Sequence, residues 1–360
     1  MKAPSLLGVA GAGASRAVPQ TELKVFVLAG QSNMEGQAEV NKTCSSVEPG
    51  KCSAVGAIMN GTLAYQLTDP RTEKLFSQCW DKANNNWTVL PDVKIWFNEK
   101  GKAPPTEKCP LGCPPALSGG TFGNMSIGFG CGGHEDLGDR QHIGPEYGFG
   151  FALNTALKEK VLIIKTAWGG KTLCGDFRPP SSANGNTSTG FYYTQMLKYV
   201  SEITAPANMS KLFPDLTGTP KIVGFGWDQG WNDGCGVECT DEYEANMVNL
   251  ISDLRKEWAN PDMAISIPVS GFDGWAQTNP RRLGIINAQF GACNATRHPG
   301  QHNCVSEETR NYWRQFANSP VNQGYHWWHN AESYFLVGQA MGAGMLKAMA
   351  GEVSAPVDRA

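Results

Sequence analysis

Apolar runs rich in β-forming residues alternate with predicted helices along most of the 360-residue chain. The runs lie at residues 24–29, 93–97, 161–165, 221–227 and 264–269, and the predicted helices lie at 147–158, 191–203, 242–258, 280–292, 307–316 and 331–349. Strands that alternate with helices form a mostly parallel sheet with helices on both faces. The alternation therefore predicts an α/β fold, and the length allows one large core or two smaller ones.

The rest of the chain adds two tails and a long insertion. Residues 1–22 are predicted to be a leader or flexible tail, and residues 351–360 a second tail. From about residue 40 to residue 144 the periodicity is lost, and Gly, Pro and Cys are frequent. This stretch has too few periodic apolar segments for a core of its own, so we interpret it as an insertion into a single domain that covers residues 23–350.

A polar turn follows the first apolar run. Gly30 ends that run, and Gln31, Ser32 and Asn33 come directly after it. In open α/β sheets, ligands bind just outside the carboxyl ends of the strands. Ser32 would therefore stand where a catalytic nucleophile is placed, with its backbone N–H near the start of a helix. The alternative is an ordinary strand–turn–helix in which a serine caps the helix.

Two later strands end in residues that could stabilise negative charge. Gly169 and Gly170 follow the run at 161–165, and a backbone without a Cβ can present its N–H to a ligand. Asn232 follows the run at 221–227 and offers a neutral amide donor. Acyl transfer needs donors aimed at the developing oxyanion, so the N–H groups of Ser32 and Gly170 and the Asn232 side chain are candidates. Taken singly, each of these strand ends would be an ordinary turn.

A nucleophilic serine also needs a base, and two of the six histidines are candidates. His326 and His329 directly precede the last predicted helix, where a loop can reach back over the sheet. The other four lie in polar loops without a special setting: His134, His142, His298 and His302. Either His326 or His329 is therefore the predicted base.

The 11 cysteines and the glycosylation sequons indicate the compartment. Closely spaced cysteines in turn-rich sequence favour local disulfides, although the pairing cannot be deduced from spacing. The close neighbours are Cys44 and Cys52, Cys109 and Cys113, Cys235 and Cys239, and Cys293 and Cys304. An odd total predicts at least one free thiol. A zinc site is less favoured because no pair of C-x₂-C hooks occurs.

Seven N-x-[ST] sequons begin at Asn41, Asn60, Asn86, Asn124, Asn186, Asn208 and Asn294. Together with the cysteines they predict a disulfide-containing glycoprotein that is secreted or lies in the secretory lumen. The N-terminus is at best a marginal signal peptide. The net charge of −3 gives no indication of nucleic-acid binding, and no apolar stretch is long enough to span a bilayer.

These motifs, in this order, resemble the SGNH-hydrolase superfamily, and within it the sialate O-acetylesterase-like group of carbohydrate acetylesterases. The first block of that group matches residues 30–34, the glycine block matches 167–171, and the G-x-N-D block matches 230–233. The last block resembles residues 325–334, and the stretch 144–150 is also similar and is interpreted as structural.

The resemblance implies a flavodoxin-like three-layer α/β/α sandwich and a serine esterase that needs no metal or organic cofactor. Ser32 would be the nucleophile, His326 the base, and Ser32, Gly170 and Asn232 the oxyanion hole. The implied substrate is an O-acetylated carbohydrate, either sialic acid or a wall polysaccharide such as xylan. Five tryptophans are compatible with sugar binding: Trp168, Trp231, Trp275, Trp327 and Trp328. The alternatives are a catalytically silent carbohydrate-binding protein and an esterase of lipid or other non-sugar esters.

One position departs from the pattern of the superfamily, which has Asp three residues before the catalytic His. Gln323 holds that place before His326, and His326 itself holds it before His329. A Gln side chain or a backbone carbonyl could orient the imidazole. A carboxylate from elsewhere is the other option, and the candidates are Asp233, Asp273 and Glu332. We favour His326 as the base because the aromatic residue after it resembles the last block.

Overall fold

The computed structural model describes residues 21–46, 51–98, 120–130 and 142–352. The strands in these ranges are β1 Glu22–Gly30, β2 Ala38–Glu39, β3 Trp80–Asp81, β4 Asn86–Trp87, β5 Leu90–Phe97, β6 Thr121–Met125, β7 His142–Ile143, β8 Val161–Ala167, β9 Thr219–Asp228, β10 Ala264–Pro268 and β11 Cys304–Glu307. The α-helices are α1 Ser32–Glu35, α2 Leu63–Gln66, α3 Glu73–Phe76, α4 Pro145–Leu157, α5 Phe191–Thr204, α6 Pro206–Leu212, α7 Val237–Glu257, α8 Pro280–Ala292 and α9 Ala331–Met349.

Seven of these strands form one sheet in the order β11–β10–β9–β1–β8–β5–β6. All neighbours in it are parallel except β5 and β6, which are antiparallel. Helices cover both faces, so the predicted three-layer α/β fold is confirmed. Strand β1 lies at the centre, paired with β8 on one side and β9 on the other. It therefore carries its carboxyl end, with the turn at Gln31, into the middle of one sheet edge.

Side chains of β1 alternate between the two layers, as expected for a strand that is buried on both faces. Val25 and Val27 pack into a cluster with the inner faces of α5, α7 and α8. Phe26 and Leu28 pack into a second cluster with α4 and α9. In that second layer α4 and α9 touch through glycines, and a Cβ at Gly338 would lie 2.0 Å from the Pro145 carbonyl oxygen. The close contact fixes α9. This helix follows the loop Gly324–His329, called the histidine loop, which carries His326 and His329.

The predicted helix at residues 307–316 is wrong. Cys304–Glu307 is instead strand β11, which pairs with β10 at the edge of the sheet, and Arg310–Tyr312 forms only a 3₁₀ turn. Pairing with β10 includes Glu307, the first residue of the predicted helix, and buries Cys304 and Val305, so the strand ends where a helix was predicted to begin. The interpreted insertion also supplies β5 and β6, which extend the main sheet beyond β8.

Disulfides are confirmed: two of the closely spaced pairs in the sequence are bonded, and a third bond joins Cys174 to Cys239, 65 positions apart. The bonded pairs in the described residues are Cys44–Cys52, Cys174–Cys239 and Cys293–Cys304. Cys235 is an exposed free thiol rather than a partner of Cys239, and Cys79 is a buried one. Cys109, Cys113 and Cys131 lie outside the described residues. Among the helices that the structure describes, none has the length and apolarity that a bilayer span requires.

Candidate active site

Three neighbouring strands bring their carboxyl ends together at one edge of the sheet. Because β9, β1 and β8 are adjacent and parallel, the turns after Asp228, Gly30 and Ala167 lie side by side. The Gln31 N–H donates to the Asp228 carbonyl at 3.3 Å, and the Trp168 N–H donates to the Gly30 carbonyl at 3.2 Å. The sheet order therefore assembles the three sequence blocks into one site.

The Gln31 side chain joins the first turn to the third. Its Nε2 donates to Oδ1 of Asn232 at 2.9 Å, and its Oε1 accepts the backbone N–H groups of Gly230 and Asn232. Both ends of one amide are thus used to hold the Asn232 loop beside Ser32. This accounts for a glutamine at the first position after the strand, a role that the sequence did not indicate.

Ser32 and His326 are in direct hydrogen-bond contact. The distance from Ser32 Oγ to His326 Nε2 is 2.8 Å, and Ser32 is the first residue of α1. The loop that carries His326 is attached to the same block, since Asn33 Nδ2 donates to the Tyr325 carbonyl at 3.1 Å and the Tyr334 hydroxyl donates to Asn33 Oδ1 at 2.8 Å. Asn33 therefore sets the position of the histidine relative to the serine.

The far nitrogen of His326 meets the side chain of Gln323. His326 Nδ1 lies 3.0 Å from Gln323 Oε1, and His329 Nε2 lies 2.9 Å from the same oxygen. An amide oxygen only accepts, so with the oxygen in this place His326 donates an N–H from Nδ1. Nε2 of His326 is then left without a proton and faces Ser32, which is the tautomer that a general base requires.

The carboxylates considered for the third position have other partners. Asp233 accepts the backbone N–H groups of Leu173 and Cys174, and burial raises its pKa to about 6. Glu332 pairs with Arg314 at 2.6 Å, and Asp273 accepts a hydrogen bond from Gln277. Of the options weighed for orienting His326, the Gln323 side chain contacts its Nδ1.

Glu39 is buried behind His329. Its Oε1 lies 3.7 Å from His329 Nδ1, within ion-pair range but beyond a hydrogen bond, and 3.1 Å from Lys42 Nζ, while its Oε2 lies 3.2 Å from His142 Nε2. Burial raises the pKa of Glu39, but the contacts with these neighbours outweigh burial and hold it below the ordinary value. Burial lowers the pKa of His329, and the attraction of Glu39 offsets only part of that effect. Sequence reasoning missed Glu39 altogether.

Gly170 and Asn232 lie together beside the serine turn. Asn232 Nδ2 donates to the Gly170 carbonyl at 2.9 Å, which leaves its second N–H hydrogen available. Gly170 has φ of 74°, a left-handed conformation that glycine adopts without strain. The adjacent Gly169 N–H donates to the buried Glu35 carboxylate at 2.8 Å. The glycine turn is therefore held in place by the block that carries Ser32.

Aromatic rings border the serine and histidine. The ring centroids of Trp231 and Tyr325 are 5.8 Å apart, and the Tyr325 ring lies 4.5 Å from that of His326. Tyr325 is 41% exposed, and the Arg282 guanidinium stacks on Trp231 at 3.6 Å. Of the tryptophans that the sequence suggested, Trp168 and Trp327 are buried in the core clusters and are unsuited to sugar binding.

Comparison with known proteins confirms the family resemblance. Residues 132–280 match the family model described as carbohydrate esterase, sialic acid-specific acetylesterase. That range contains Gly170 and Asn232 but neither Ser32 nor His326. No curated protein matches the chain at a significant level.

Solved structures with the same fold include a protein from Arabidopsis thaliana and a carbohydrate acetylesterase from Xanthomonas citri. The first has a TM-score of 0.50 and 16% identity, with 90% of this chain and 98% of that chain covered. The second has a TM-score of 0.50 and 12% identity, with 91% of this chain and 57% of that chain covered. At these identities the likeness shows the fold.

Proposed function

We propose that the protein is a serine esterase that removes O-acetyl groups from carbohydrates, on the premise that residues 132–280 match the family model described as carbohydrate esterase, sialic acid-specific acetylesterase. The observation that carries the proposal is the 2.8 Å contact between Ser32 Oγ and His326 Nε2. It stands at the sheet edge where Gly170 and Asn232 offer donors. Loss of turnover in Ser32→Ala, argued in the Discussion, is the test.

The mechanism follows from these positions. Ser32 Oγ attacks the acetyl carbonyl carbon while His326 Nε2 takes the hydroxyl proton. The N–H groups of Ser32 and Gly170 and the Asn232 amide stabilise the oxyanion, and His326 returns the proton to the leaving sugar oxygen. A water molecule, deprotonated by His326, then attacks the acetyl-enzyme. Acetate leaves and Ser32 recovers its proton, so no metal or organic cofactor takes part.

A carbohydrate substrate is supported by the matched family and by the aromatic border of the site. The rings of Trp231 and Tyr325 provide apolar faces beside the nucleophile, and sugar rings stack on such faces. An esterase of longer acyl esters is the rival. It would hydrolyse p-nitrophenyl octanoate at least as well as the acetate, whereas an acetylesterase would prefer the acetate.

Tyr325→Ala is expected to weaken carbohydrate binding selectively. We expect KM for an acetylated xylo-oligosaccharide to rise about 3- to 10-fold, and by more than KM for p-nitrophenyl acetate, because only the sugar gains from stacking. Steady-state kinetics on both substrates measure the difference. Phe122→Ala, which removes a similarly exposed ring from edge strand β6, is the matched control. Equal losses on both substrates would contradict a stacking role.

We also propose that the protein is a secreted glycoprotein. The sequons at Asn41, Asn86, Asn124, Asn186 and Asn294 have exposed asparagines. Asn208 is half-buried, and its Nδ2 already donates to the Glu202 carbonyl at 2.7 Å. Three disulfides agree with an oxidising compartment.

Enzymatic deglycosylation of protein from its native host is expected to lower the apparent mass. Peptide mapping should find glycans on the exposed asparagines and an unmodified Asn208. Attachment of a glycan to Asn208 Nδ2 would break its hydrogen bond to the Glu202 carbonyl. If deglycosylation does not change the apparent mass, the sequons no longer support secretion.

A further inference from the structure

Two buried side chains behind the proposed base have no part in the mechanism so far. His329 and Glu39 are 4% and 8% exposed, and contacts connect them to His326 through Gln323. We propose that Gln323, His329 and Glu39 together replace the orienting aspartate of a serine triad, as positioning residues for His326. The inference rests on the proposed esterase function and names groups that act on the same base.

The shared oxygen of Gln323 is the first argument. A primary amide can rotate by half a turn and present either its oxygen or its NH₂ group to a neighbour. If the NH₂ group faced His326, Nδ1 would have to accept, and the ring proton would move to Nε2, where it would block proton transfer from Ser32. His329 Nε2 lies 2.9 Å from the same oxygen, so a proton on that nitrogen would hold the oxygen toward His326. Through this contact His329 would favour the base tautomer of His326.

The carboxylate of Glu39 is the second argument. It stays ionised because its pKa lies below the ordinary value, and it is the acidic group at the end of this chain of contacts. His326 becomes an imidazolium when it takes the proton of Ser32, and a buried negative charge stabilises that cation. Lys42 Nζ and His142 Nε2 also face Glu39, at 3.1 and 3.2 Å, and the positive charge of Lys42 reduces the field of the carboxylate without removing it.

An electrostatic role of Glu39 can be distinguished from a packing role, because only the charge shifts the pKa of His326 in a defined direction. Attraction by a carboxylate raises the pKa of an imidazole, so removal of the charge lowers it. In Glu39→Gln we expect kcat to fall about tenfold, and the acid limb of kcat/KM to move to lower pH by roughly half a unit. Lys42→Gln removes the opposing charge and should move the acid limb to higher pH.

The decisive experiment is a double-mutant cycle with p-nitrophenyl acetate, measured as full pH profiles. Gln323→Glu places a carboxylate directly on His326 Nδ1, so we expect its acid limb at higher pH than in the wild type. Because the direct carboxylate makes the remote one redundant, Glu39→Gln should cost less than threefold in the Gln323→Glu background, against about tenfold alone. Melting temperatures control for folding.

Two results would overturn the proposal. One is an unchanged acid limb in both Glu39→Gln and Gln323→Glu, and the second is an equal loss from Glu39→Gln in both backgrounds. If Glu39→Gln does not fold, His329→Ala takes its place in the cycle, and an equal loss from His329→Ala in both backgrounds overturns the proposal. A wild-type protein without Ser32-dependent turnover would instead refute the esterase function, so the two failures are distinguishable.

Discussion

Replacing Ser32 by alanine is expected to reduce hydrolysis of p-nitrophenyl acetate by about 10⁴-fold or more. Ser32 Oγ is the atom that forms the acyl-enzyme, and no neighbouring group can take its place at 2.8 Å from His326 Nε2. The remaining donors of Gly170 and Asn232 would still bind the carbonyl, so a small residual rate above water is expected. The measurement is the initial rate with burst-phase analysis, since an acetyl-enzyme that accumulates produces a burst.

Ser77→Ala is the matched control for Ser32→Ala. Ser77 is an exposed serine that donates to the Lys74 carbonyl, far along the chain from the sheet edge, and its loss should leave the rate within twofold. Equal rates for wild type and Ser32→Ala would refute the esterase proposal. They would favour the silent carbohydrate-binding protein, which would still bind an acetylated glycan in a direct binding assay.

Replacing His326 by alanine is expected to lower kcat about 10³- to 10⁴-fold, far more than replacing His329. His326 Nε2 contacts the nucleophile, and a general base of this kind contributes a factor in that range. His329 acts through Gln323, so His329→Ala should cost about 10- to 100-fold. The loss in His326→Ala should be smallest at high pH, where hydroxide replaces the missing base.

The order of the two histidine variants decides the assignment. A larger loss in His329→Ala than in His326→Ala would make His329 the base. His302→Ala is the control, because His302 is an exposed histidine paired with Asp262, away from the three strand ends. The rate of His302→Ala should match that of the wild type. This result would show that replacing a histidine does not by itself lower the rate.

The sequence predicts most of the sheet because local patterns are enough for buried strands. The run at 24–29, its polar turn and the glycine and asparagine turns all lie on the strands expected, and the order β9–β1–β8 makes them neighbours. Local patterns failed where pairing decides the structure. The helix predicted at 307–316 is absent, because Glu307 is the last residue of a strand that pairs with β10 and Arg310–Tyr312 forms only a 3₁₀ turn.

The groups behind His326 could not be predicted for a different reason. Glu39 lies shortly after the first block, and its partner His329 lies 290 positions further along, so no spacing connects them. Gln323 was considered only because it stands where an aspartate was expected. That its oxygen serves two imidazoles depends on the backbone of the histidine loop, which a single sequence does not specify.

The backbone of the histidine loop also limits which substitutions the protein could accept. Trp327, Trp328 and His329 have φ values of 52°, 56° and 58°, a conformation that costs bulky residues of the order of 1–3 kcal/mol each. Trp327 offsets part of this cost, as it is buried between the rings of Phe272 and Trp313, at 5.3 and 5.8 Å. A smaller side chain at either ring would release the loop to a relaxed conformation. Substitution of Phe272 or Trp313 would then reduce turnover while the fold survives.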